Sequence, residues 1–145
     1  PSGGVVLRGG AAIGRLLGGN LSLFVSLLGT PFQTDFRRAL LFLEEIGEEP
    51  YRVDRMMTQL RNARILERAA GVAAGYFSDC VPKDSNKPSM SVEEIMREAA
   101  ASARRPFVVG LPFGHERRSV TIPVGLRVRL DAGAGTLELL EPSVL

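Results

Sequence analysis

The chain has 145 residues, 45% of them hydrophobic and 23% charged, with 18 Lys+Arg against 16 Asp+Glu for a net charge of +2. That is the length of one domain burying about 70% of its unfolded surface, and the composition excludes wholesale disorder. A single cysteine (Cys80) excludes an intrachain disulfide framework, a single histidine (His115) leaves no Cys/His zinc pattern, and no apolar run approaches the roughly 20 residues that span a bilayer. The arginines are scattered, only two lysines occur and tryptophan is absent, so no basic stripe interleaved with aromatics marks a nucleic-acid surface. No signal peptide opens the chain, which begins Pro1-Ser2 rather than with methionine, as a fragment or processed form would.

Seven of the 16 glycines fall in the first twenty residues. Val5–Leu7 and Ala11–Ile13, separated by Gly9-Gly10, predict a small hairpin with tight turns. Neither GxGxxG nor GxxxxGK[ST] is present, which removes the usual phosphate-cradling loops. Asn20 is placed to cap a short helix through Leu21, Phe24, Val25 and Leu28, ended by Gly29. Ala39–Leu43 is a continuous apolar run that predicts a strand buried on both faces, followed by Glu44-Glu45 and a turn at Gly47. Pro50 suits the first turn of a helix, and Val53, Met56, Met57 and Leu60 carry its apolar stripe.

Gly71–Phe77 predicts a second strand and Lys83–Pro88 a polar loop. Ser91 with Glu94 has the form of a capping box, opening a helix with Val92, Ile95, Met96 and Ala99 on one face. Phe107–Leu111 predicts a third buried strand. Strand, helix, strand, helix, strand implies two right-handed crossovers and a small parallel sheet. Beyond residue 116 the pattern becomes an antiparallel meander: Val120–Ile122, Leu126–Leu130 and Thr136–Leu139, punctuated by glycine turns. The expected fold is α/β: a small parallel sheet with crossover helices plus a second antiparallel sheet, in one domain over residues 1–145.

Ligands collect outside the carboxyl ends of strands in an open parallel sheet. Glu44 follows the first buried strand, Ser78-Asp79-Cys80 the second and His115 the third, so Glu44 and His115 end on one edge. A carboxylate bonded to one imidazole nitrogen fixes the tautomer and frees the other nitrogen to take a proton from a nucleophile. The alternative is a surface glutamate in the acidic cluster Glu44, Glu45, Glu48, Glu49 and a structural loop histidine. No serine lies in a G-x-S-x-G elbow; Ser78 and Cys80 are the nearest nucleophile candidates, each better read as a loop residue or, for Cys80, a buried thiol. No ligand spacing for a metal is present, and no cofactor is expected.

Several segments resemble the C-terminal half of serine L,D-carboxypeptidases, the muramoyl-tetrapeptide carboxypeptidase and microcin-immunity group. They are Gly18-Gly19-Asn20-Leu21-Ser22, Gly29-Thr30-Pro31, Leu43-Glu44-Glu45 with Pro50–Met56, and Gly114-His115 with Thr121–Gly125. The resemblance runs in order over nearly the whole chain. It implies a swivelling β/β/α-type domain and a Ser–His–Glu triad in which Glu44 orients and His115 is the general base. The nucleophilic serine and the oxyanion-hole amides would come from an N-terminal domain absent from this chain. Gly75–Asp79 looks superficially like the family's nucleophile turn but carries an extra residue in the wrong half. Where the family leads one to expect glycine after the helix, this chain has Asn62-Ala63-Arg64-Ile65.

The function so implied is release of terminal D-alanine from cytoplasmic murein tetrapeptides in peptidoglycan recycling, without metal, often as a homodimer. The fragment alone would be inactive and prone to self-association or domain swapping, with neither nucleic acid nor membrane as a partner. Three alternatives stand beside it: a non-catalytic binding or dimerisation module, a microcin-type acyl-adenylate hydrolase, and a cysteine hydrolase built from Cys80, His115 and Glu44.

Overall fold

Leu40, Leu41, Phe42 and Leu43 are all buried, and they alternate between two separate cores. In the computed structural model, which describes residues 3–84, 86 and 88–143, they open the central strand β3 (Leu40–Ile46). Each such side chain contributes roughly 1.5–3 kcal/mol on burial, so a strand with both faces covered is the best-held element available. It pairs in parallel with β2 (Ala11–Asn20) on one side and β4 (Gly71–Ser78) on the other; β5 (Phe107–Val109) continues the parallel set beyond β4.

Antiparallel strands extend both edges. β1 (Val5–Arg8) pairs with β5, while β6 (Arg127–Asp131) pairs with β2 and with β7 (Thr136–Leu139), giving the order β1-β5-β4-β3-β2-β6-β7. The long strand β2 belongs to both parts of the sheet. Its residues 11–15 face β6 and its residues 16–20 face β3. The sheet curls until its two ends meet, where the Gly4 N–H donates to the Gly135 carbonyl at 3.4 Å.

Helices cover the outer face of the curl. α2 (Pro50–Asn62) and α4 (Val92–Ala103) bury Val53, Met56, Met57, Leu60, Ile95 and Met96 against Leu41, Leu43, Val72 and Phe107. The inner face encloses Leu16, Leu40, Phe42, Val108, Phe113, Val128 and Leu130. Two shorter helices, α1 (Leu21–Ser26) and α3 (Ile65–Arg68), complete the chain. No helix among the described residues is long and apolar enough to cross a membrane.

Local signals fared well wherever they were strong. The Asn20 side chain accepts from the Leu23 N–H, Pro50 opens α2, and Ser91 and Glu94 form the capping box of α4. The expected parallel and antiparallel parts are both present, joined through β2. Two expectations fail. β1 and β2 do not form a hairpin, because β2 is flanked by β3 and β6 while β1 closes the far edge on β5. Val120–Ile122 is not a strand: the Val120 N–H goes to the Pro112 carbonyl, and Pro123 has no N–H to give a ladder. Ser85 and Lys87 of the expected polar loop lie outside the described residues.

Arg64 occupies the left-handed region at φ 56°, so the chain keeps the turn that glycine would make and bears the strain of a side chain there. Arg64→Gly is therefore expected to raise the unfolding free energy, by about 1 kcal/mol after the added flexibility of the unfolded chain. A urea titration reads this directly; an unchanged or lower midpoint would show the turn to be unstrained.

Candidate active site

Along β3 consecutive side chains point to opposite faces, so the two neighbouring glutamates part company. Glu44 follows Leu40 and Phe42 to the inner face, whereas Glu45 follows Leu41 and Leu43 to the helix side. Both lie within β3, not after it, and both are buried, at 8% and 2% exposure.

The segment after β5 crosses β4 to reach Glu44. The Leu111 N–H donates to the Ala74 carbonyl at 3.1 Å and the Tyr76 N–H to the Phe113 carbonyl at 2.9 Å, so residues 111–113 lie alongside β4. Gly75 makes this possible: a Cβ there would collide with the Phe113 carbonyl and ring. Opposite Glu44 the β3–β4 register slips, Leu43 facing Ala74 and Glu45 facing Phe77, so β4 carries an extra residue. Such bulges re-aim side chains at the ends of sheets. Gly114, at φ 116°, then turns the chain over the Glu44 side chain, whose Cβ and Oε2 lie 3.3 Å from where a Gly114 Cβ would stand.

His115 is delivered by this turn. Its Nδ1 lies 2.7 Å from Glu44 Oε2, with the carboxylate side chain 11% exposed and the imidazole 53% exposed. The sequence pair thus meets, across the width of β4. When Nδ1–H donates to Glu44, Nε2 keeps its lone pair and can act as a base.

Ser78 and Cys80, the two nucleophile candidates in the chain, do not join the imidazole. Ser78 is buried at the end of β4, with Oγ 3.2 Å from the His115 carbonyl and 2.8 Å from Glu116 Oε1, which braces the backbone of the histidine turn. Cys80 is buried in the helix-side core, where burial pushes its thiol up despite partial relief from the Glu48 and Gly47 backbone. A thiol held protonated is a poor nucleophile. Among the described residues no hydroxyl or thiol hydrogen-bonds the imidazole, and no group of three His, Cys, Asp or Glu side chains is placed to hold a metal.

Glu45, on the other face, is tied down completely. Its Oε1 accepts from Asn20 Nδ2 (2.7 Å) and the Ile46 N–H (2.9 Å), its Oε2 from the Ser22 N–H (2.8 Å) and Ser22 Oγ (2.7 Å). Burial would raise its pKa; the hydrogen bonds from Ser22, Ile46 and Asn20 outweigh that and hold the carboxyl below its ordinary value.

With this geometry in view, comparison with known proteins is decisive for kinship. Residues 13–130 match the LD-carboxypeptidase C-terminal domain. The chain belongs to the LD-carboxypeptidase family. It is 43% identical over 127 residues to a Bacillus subtilis protein named "Probable murein peptide carboxypeptidase", covering 88% of this chain and 40% of that one. To the murein tetrapeptide carboxypeptidase of Pseudomonas aeruginosa it is 32% identical over 119 residues, covering 81% and 38%. The crystal structure of muramoyltetrapeptide carboxypeptidase from Oxalobacter formigenes superposes with a TM-score of 0.81 at 35% identity, covering 93% of this chain and 47% of that one. The microcin C7 self-immunity protein MccF shares the fold, with a TM-score of 0.83 at 19% identity. This chain spans less than half the length of these relatives.

Sequence reasoning found the Glu44–His115 pair but missed what positions it: Gly75, Gly114 and the Ser78–Glu116 brace. A glycine inside a strand pattern was the available signal, since it marks close backbone approach. Gly75→Ala should push residues 111–113 off β4 and cost about 2 kcal/mol, because Phe113 is itself 2% exposed and has nowhere to move. Chemical denaturation measures the loss; wild-type stability in the variant would mean that the crossing adapts.

Proposed function

We propose that this chain is the C-terminal domain of a serine carboxypeptidase that hydrolyses the L,D-peptide bond releasing terminal D-alanine from murein tetrapeptides in the cytoplasm. The observation that carries the reading is the 2.7 Å contact between His115 Nδ1 and a buried Glu44 carboxylate, at the carboxyl ends of the parallel strands. A bonded carboxylate fixes the imidazole tautomer and stabilises the imidazolium that forms when Nε2 accepts a proton. The nucleophilic serine comes, in this reading, from an N-terminal domain outside these 145 residues. The engagement of Ser78 with Glu116 and the burial of Cys80 in the helix-side core, with the fraction of its relatives' length that the chain spans, support that division.

The chemistry then balances over two halves. The serine hydroxyl gives its proton to His115 Nε2 as oxygen attacks the substrate carbonyl carbon; His115 passes that proton to the departing D-alanine amine. Water, deprotonated by the same nitrogen, frees the acyl group and restores the serine. Identities of 43%, 35% and 32% to proteins named for murein peptides, against 19–21% for the microcin immunity protein, favour the murein substrate over an acyl-adenylate.

D-alanine release from murein tetrapeptide is the direct test, with the 145-residue chain and the natural longer protein compared side by side. Turnover is expected only in the longer protein. Glu44→Gln and His115→Ala should each lower its kcat by about 10³-fold or more, and Cys80→Ala should leave it near wild type. Turnover by the short chain, or wild-type rates in the Glu44 and His115 variants, would overturn the assignment. Leu23 and Phe32, 69% and 78% exposed, fit a surface that a neighbouring domain or second copy covers. Self-association of the isolated chain follows, and a strictly monomeric species in sedimentation at high concentration would contradict it.

A further inference from the structure

Glu45 is a buried carboxylate that the reaction just described does not use. Its four hydrogen bonds reach three elements: Asn20 closes β2 and caps α1, Ser22 lies in the first turn of α1, and Ile46 ends β3. Regular pairing is failing in the same place. The β2–β3 ladder stops at Asn20 opposite Glu44, and on the other side the β3–β4 register shifts between Leu43 and Glu45 before pairing resumes at Phe77 and Ser78. On its β2 side the backbone that carries Glu44 is therefore held by the Glu45 side chain where that ladder ends.

We propose that Glu45 is a positioning residue for the Glu44–His115 pair, its carboxylate fastening the end of β3 to the junction of β2 and α1. The two glutamates share a peptide bond and face opposite sides of the sheet, so a roll of the strand that frees Glu45 swings Glu44 away from Nδ1. Active-site groups must be held within roughly 0.5 Å, and a displacement of about 1 Å costs on the order of 10²-fold in rate. Every partner of Glu45 is a donor, so only a group that accepts at both oxygens satisfies them. Ser22 Oγ also lies 3.4 Å from Met56 Sδ, which carries the fastening onto α2.

This inference rests on the carboxypeptidase reading for its rate measurement but not for its spectroscopic one. In the natural full-length protein, the downfield resonance of the His115 Nδ1 proton, assigned by its loss in His115→Ala, reports the bond to Glu44. Glu45→Gln keeps the shape but sets an amide N–H₂ against the donors. It is expected to broaden or shift that resonance and to lower kcat tenfold or more with KM changed less than about twofold. Glu45→Asp, which keeps the charge and shortens the reach, should recover part of both. A folded Glu45→Gln protein with a wild-type resonance and wild-type kcat would overturn the proposal. Where Glu45→Gln fails to fold, Ser22→Ala decides: removing that one bond should move the resonance and kcat in the same direction by less, and no change in either would overturn it. Should the wild-type protein release no D-alanine, the carboxypeptidase reading fails, and the Nδ1 resonance of the same variants still decides the role of Glu45.

Discussion

The alternation of faces along β3 is the constraint from which the rest follows. A strand buried on both sides must send successive side chains into two different environments, and its four buried apolar residues anchor it in both. Carried two residues further, the same alternation hands one glutamate to the inside of the curled sheet and the next to the helices. Each is buried and each is compensated, Glu44 by one imidazole and Glu45 by four donors. Burial without such partners would be prohibitive, so neither carboxylate is there passively.

Three backbone features then bring a histidine from a distant loop onto Glu44. The bulge in β4 opposite Glu44, the absence of a side chain at Gly75, and the positive φ of Gly114 together let residues 111–115 cross β4. Ser78 holds the carbonyl of His115 and the carboxylate of Glu116 from below. The result is a buried carboxylate held against a half-exposed imidazole, the pair we propose as half of a catalytic relay, in a chain belonging to a family of carboxypeptidases.

The curl of the sheet explains why the inner core is so small and so aromatic at one end. Phe42 and Phe113 meet edge to face, ring centroids 6.0 Å apart, under the turn that carries His115. Packing at this depth ties the position of the loop to the position of β3.

Much of this was legible in the chain itself. The apolar run at Leu40–Leu43, the Pro50 helix start, the Ser91–Glu94 capping box and the edge shared by Glu44 and His115 all follow from local patterns whose physics is local: periodicity, caps and strand ends. The partners of β1, the irregular course of Val120–Ile122 and the clasp around Glu45 do not. They depend on which strand edges remain open once the sheet has curled, and on donors from residues 20 and 22 arriving beside residue 45. The sequence by itself determined which residues were able to serve as carboxylate and base. Only the tertiary structure decided that the first glutamate faces the histidine and the second faces the helices, because the register of β3 against its neighbours assigns the faces, and that register is fixed by the whole sheet rather than by any segment of it.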